Sequence, residues 1–118
     1  MAQIERISVF KYKDKFYESF YEAEIARNED IDNRLYKMYN GSGELTYDFD
    51  CAIFVYLQTK QSASQFIEDC VDEDVIYTGI KEGDSGLFLW NEHTMEYMRF
   101  NTNLYEGMQK ILTQLLNN

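Results

Sequence analysis

Residues 45–57 read LTYDFDCAIFVYL. Leu45, Tyr47, Phe49, Cys51, Ile53, Val55 and Leu57 take every odd position, the period of a strand with one face in a core. The even positions change character along the way. Glu44, Thr46, Asp48 and Asp50 come first, then Ala52, Phe54 and Tyr56. The pattern predicts one long strand over 44–59. Its first half is wet on one side, and its second half is covered on both.

Outward from this stretch the reading alternates. On the C-terminal side, Ala63, Phe66, Ile67, Cys70 and Val71 follow helical spacing. Ser62 and Gln65 form a capping-box pattern, which predicts a helix over 62–72. Glu68, Asp69 and Asp72 then face water, with Glu73 and Asp74 at the helix end. Acid there opposes the helix dipole, at about 0.3–1 kcal/mol per exposed site. Residues 75–81, 87–90 and 94–100 read as three strands. The turns between them are Glu82 to Gly86 and Asn91 to His93. Leu104, Met108, Ile111, Leu112 and Leu115 stripe a last helix, capped by Asn101 or Thr102.

On the N-terminal side, Ile7 and Val9 mark a first strand that Lys13-Asp14-Lys15 breaks. The aromatics of FYESFYEAEI favour a return strand over residues 16–27, although Phe16, Phe20 and Ala23 also fit a helix face. Residues 30–40 read as a short helix with Asp30 as N-cap and Gly41 beyond its end. Asn40-Gly41-Ser42 is a turn. The fold expected is α+β: one domain spanning 1–118, mostly antiparallel sheet with a C-terminal three-stranded meander, packed by two or three helices.

Composition narrows the function classes. A hydrophobic fraction of 45% and an aromatic fraction of 16% exclude a disordered chain. The longest apolar run falls well short of the roughly 20 residues of a membrane helix. The first residues, MAQIERISVF, lack the apolar centre of a secretory signal, which predicts a cytoplasmic protein. Cys51 and Cys70 are then expected as reduced thiols.

Charge is the most informative feature. The net charge is −10, and residues 44–96 alone net −10, with twelve Asp or Glu against Lys60 and Lys81. Residues 1–43 net −1 and residues 97–118 net +1. This sign excludes direct binding to nucleic acid or to an anionic membrane and favours a basic partner. No nucleotide, nucleophile-elbow or EF-hand pattern is present. His93, the single histidine, lies in a turn. Asp48 and Asp50 give two ligands, too few for a dedicated metal site. No cofactor, metal or catalytic residue is expected, and the chain reads as a non-enzyme.

The expected function is therefore binding: an inhibitor or antagonist that docks on the basic, nucleic-acid-binding surface of another protein, such as a nuclease. Glu44, Asp48, Asp50, Glu68, Asp69, Asp72, Glu73 and Asp74 are the candidate partner-binding residues, with regularly spaced carboxylates that mimic a phosphate backbone. Two alternatives stand beside it. One is an immunity-type protein that neutralises a basic toxin. The other is a non-catalytic regulatory homodimer whose acid serves only solubility. Ten tyrosines add side chains common at interfaces. In general character the chain is similar to the acidic inhibitors encoded by phages and mobile elements. That likeness implies an acidic surface that blocks nucleic-acid-handling proteins.

Overall fold

A computed structural model describes residues 9–99 and 106–116. The fold class is α+β, built on antiparallel sheet with a meander among its later strands. The chain divides into two compact units, residues 1–33 and 34–118.

The first unit is a β-hairpin followed by a helix. Strands β1 (Phe10–Tyr12) and β2 (Lys15–Tyr17) pair antiparallel, with Lys11 opposite Phe16. Lys13 turns the hairpin at φ 54, in the left-handed region. Its ammonium lies 3.2 Å from Asp30 of the helix and 5.5 Å from the centre of the Tyr12 ring. Helix α1 (Phe20–Asp32) occupies residues for which a return strand was the expectation. The cause is local. The Ser19 hydroxyl accepts the Glu22 N–H at 3.1 Å, so Ser19-x-x-Glu22 carries the capping-box pattern. Glu22, Ala23, Glu24, Ala26 and Arg27 favour helix, which outweighs the aromatics. The helix expected over 30–40 is also corrected. Asp30 to Asp32 end α1, and the chain is extended by Tyr36.

The second unit is a five-stranded antiparallel sheet with a helix on each face. Its strands are β3 (Tyr36–Tyr39), β4 (Leu45–Thr46), β5 (Phe54–Leu57), β6 (Gly86–Asn91) and β7 (Glu96–Arg99). They lie in the order β4-β3-β5-β6-β7. Helix α2 (Ser62–Asp72) follows β5, and α3 (Glu106–Leu116) closes the unit. Strands β5, β6 and β7 form the meander. The expected strand at 75–81 is irregular instead, and Tyr97 in β7 donates its backbone N–H to the Thr78 carbonyl at 2.7 Å. Residues 5–8, the Asn101 or Thr102 cap and Leu104 lie outside the described residues.

The alternating stretch 45–57 is three pieces rather than one strand. After β4, a 3-10 turn spans Phe49–Cys51, and pairing resumes only at Phe54. Asp48 caps that turn, accepting the Asp50 N–H at 3.0 Å. Phe49, within that turn, is buried. From Phe54 onward the two-sided burial expected of the stretch is present. Phe54 joins Tyr39, Leu87, Met108 and Ile111 in the cluster under α3, with Leu112 and Leu115 packed against it. Val55 and Leu57, on the other face, are buried as well. That face holds an aromatic cluster around Phe66 of α2. Its ring meets Tyr36 at 5.2 Å, Tyr97 at 5.9 Å and Phe49 at 6.1 Å, measured between ring centres. Each such buried ring contributes about 1.5–3 kcal/mol by burial alone.

Candidate functional site

Helix α2 and the turn at its end carry five of the eight candidate carboxylates, and the orientation of the helix decides what that acid can do. Ser62, Ala63, Phe66, Asp69 and Cys70 are its buried residues. This face is rotated from the expected stripe. Val71, expected inside, is 60% exposed, and Asp69, expected in water, is 8% exposed.

The reason is a set of partners 33 to 35 residues away. Tyr36 donates its hydroxyl to Asp69 Oδ2 at 2.6 Å, and Arg34 Nη2 lies 3.2 Å from Asp69 Oδ1. A buried carboxylate needs such partners, because an unpaired charge in the interior is very costly. The N-terminal turn of α2 is tied to the same strand. Ser62 donates to the Leu35 carbonyl, and Gln65 Oε1 accepts the Leu35 N–H at 2.7 Å. Ser62 and Gln65 therefore hold β3 in place, instead of capping their own helix as expected.

The C-terminal end of α2 is a Schellman motif. The Val75 N–H donates to the Cys70 carbonyl at 2.9 Å, and the Asp74 N–H to the Val71 carbonyl at 3.2 Å. Asp74 sits at φ 55, the left-handed position that usually holds glycine. The end therefore carries acid against the helix dipole and a side chain in an unfavourable backbone region.

The eight candidate residues do not form one uniform face. Glu44, Asp48, Asp50, Glu68, Asp72 and Asp74 are exposed, Glu73 is half-buried, and Asp69 is internal. Glu44, Asp48 and Asp50 do not share a strand face, because the 3-10 turn interrupts the strand. Glu44 lies in the turn that Asn40 organises, its N–H held by Asn40 Oδ1 at 3.0 Å. Asp48 and Asp50 flank Phe49, whose ring stacks on Phe66 of α2. That stack makes the 3-10 turn and α2 neighbours, so Asp48 and Asp50 lie on the element packed against the one bearing Glu68 and Asp72.

Oxygens of Glu68, Asp69 and Asp72 lie within 4.8 Å of one another, a spacing compatible with a cation. Arg34 already stands beside two of them, 3.2 Å from Asp69 and 3.7 Å from Glu68. Sequence reasoning missed Arg34 and Tyr36, because nothing local to either residue announces a partner so far along the chain.

The reactive groups are muted. The Cys51 thiol is exposed and donates to Asp48 Oδ2 at 3.5 Å, a contact that raises its pKa. Burial, then the nearby Asp69 and Glu73 carboxylates, pushes the Cys70 thiol up to about 12. Both thiols are thus held in the less nucleophilic, protonated form at neutral pH. His93 is exposed in its turn, with its backbone N–H bonded to Asn91 Oδ1 at 2.9 Å. Among the described residues, no helix is long and apolar enough to cross a membrane. Comparison of the chain with protein-family models, curated proteins and solved structures gave no match.

Proposed function

We propose that this chain is a non-catalytic, cytoplasmic binding protein of the nucleic-acid-mimic type. It docks its acidic surface on the basic, nucleic-acid-binding face of another protein. One observation carries the reading. Six carboxylates, Glu44, Asp48, Asp50, Glu68, Asp72 and Asp74, are exposed in segment 44–96, where Lys60 and Lys81 are the only lysine or arginine residues. An acidic face kept merely for solubility is normally interspersed with lysine. Asp74 adds support, since acid is retained there at a conformational and electrostatic cost. Asp69 takes no part in docking in this reading. It orients α2 so that its neighbours face outward.

The test uses the immobilised chain to capture proteins from a lysate, followed by elution with duplex DNA and with salt. The reading requires that captured proteins be basic, bind nucleic acid and be released by DNA. Capture should weaken with salt as attraction is screened beyond about 8 Å at physiological ionic strength. A triple variant, Glu44→Lys, Asp50→Lys and Asp72→Lys, should stay folded and bind at least about tenfold more weakly. Equal capture by the folded variant, or binders indifferent to DNA, would overturn the reading.

A further inference from the structure

Among the exposed apolar side chains, those of the hairpin and those at the end of α2 stand beside charges of opposite sign. On the hairpin of the first unit, Phe16 is 65% exposed. Lys11, directly across the ladder, holds its ammonium 5.8 Å from the centre of that ring. Lys15 is exposed too, paired with Tyr12 on the other face of the ribbon. The hairpin residues 10–17, FKYKDKFY, contain three lysines and one aspartate. Phe16 and Lys11 share the ribbon face opposite Phe10, whose ring turns to Phe20 of α1 at 5.8 Å.

At the end of α2 the charges are reversed. Val71 is 60% and Ile76 55% exposed, on either side of the turn closed by the Asp74–Val71 hydrogen bond. Asp72 and Asp74 are exposed on that same turn. Exposed apolar side chains close in the chain to exposed charges supply what an interface uses: apolar anchors and charge to orient them.

We infer that the occupant of the α2 end is a second copy of this chain, which inserts the Phe16–Lys11 face of its hairpin against Val71 and Ile76. Charge complementarity selects that occupant. The anchor on the hairpin is an aromatic ring with the Lys11 ammonium over it, whereas the receiving surface is aliphatic and flanked by Asp72 and Asp74. The interface joins two different surfaces, so it is heterologous and each copy keeps one unused half. The inference is independent of the function proposed above, since it needs no partner but the chain itself.

Sedimentation velocity of the full chain over a concentration series tests this at low and high salt. The average mass should rise with concentration at low salt and fall back at high salt. Phe16→Ser and Val71→Ser should each weaken association roughly tenfold or more, as loss of an anchor does. Mixing those two variants should restore a dimer, because each keeps the half that the other lacks, and growth should stop at two copies. Should either variant fail to fold by circular dichroism, Lys11→Glu and Asp72→Lys should each fail to associate alone and associate on mixing, because the reversed charges pair as the native ones do. A chain that stays monomeric throughout overturns the inference. So does association untouched by either substitution, or two inactive variants that fail to complement each other.

Discussion

The Tyr36 hydroxyl donates to Asp69 Oδ2 at 2.6 Å, which places the one buried carboxylate of α2 against the first residue of β3. Arg34 completes the arrangement from the residues just before that strand. Asp69→Ala takes the acceptor from a buried hydroxyl and the nearer carboxylate from Arg34, which keeps the longer Glu68 contact. It should destabilise the fold by about 2–4 kcal/mol. Tyr36→Phe should cost about 1–2 kcal/mol, since Arg34 still neutralises the carboxylate. Urea unfolding of both single variants and of the double variant measures the coupling. Strict additivity of the two losses would show that the pair does not act together.

Alkaline pH should unfold this protein earlier than its charge alone suggests. Burial raises the pKa of Tyr36, with the Asp69 carboxylate adding to it, and burial raises that of Tyr97. Cys70 moves from 9.0 to about 12. Each group keeps its proton in the native state after the unfolded chain has lost it. Its contribution is therefore whole below the unfolded pKa and declines as pH rises toward the folded one. Between pH 9.0 and about 12 Cys70 should steepen the loss of stability, by up to about 1.4 kcal/mol per pH unit. Chemical denaturation across this range should give a shallower slope for Cys70→Ala than for wild type.

Gly79 should tolerate no side chain. Its φ is 98°, and a Cβ there would collide with the Tyr97 carbonyl and lie 2.9 Å from the Tyr97 nitrogen. The neighbouring Thr78 carbonyl accepts the Tyr97 N–H, so a displaced segment also loses that bond. Gly79→Ala should destabilise by about 4 kcal/mol or more, at the far end of single-substitution effects. Thermal unfolding monitored by circular dichroism checks it, and a melting point within a few degrees of wild type would contradict the close approach.

Asp74→Gly should stabilise. The position is left-handed and closes a Schellman motif, where glycine carries no Cβ penalty, and the change removes an anion from the negative end of α2. The expected gain is about 0.5–1 kcal/mol, measured as a higher urea midpoint at unchanged slope. The same variant should bind a basic partner less well if Asp74 is kept for docking.

Labelling with a thiol reagent should separate the two cysteines. Cys51 is exposed and should react in the native protein, slowed by its Asp48 contact, whereas Cys70 should react only on unfolding. Fast native labelling of Cys70 would contradict the buried face of α2.

The sequence by itself determined the elements whose pattern is strong and local. The bounds of α2 follow from its helical spacing, and β6 follows its two-glycine turn. The two-sided burial of β5 follows from unbroken apolar character at 52–57. Helix α1 was legible too, through Ser19-x-x-Glu22, but a local reading that weighted aromatics chose a strand. Tertiary structure decided the rest. Alternation over 45–57 cannot reveal a break, because Phe49 is inward-facing in either conformation. What settles the matter is the Phe66 ring that receives it. Asp69 and Val71 are two residues apart on one helix, and burying the valine is the choice that transfer free energy alone predicts. Arg34 and Tyr36 reverse that choice by providing a charge and a hydrogen bond inside the fold. Periodicity says that a helix has two faces. Only partners brought from elsewhere in the chain say how far it is turned, and that turn sets which carboxylates reach water.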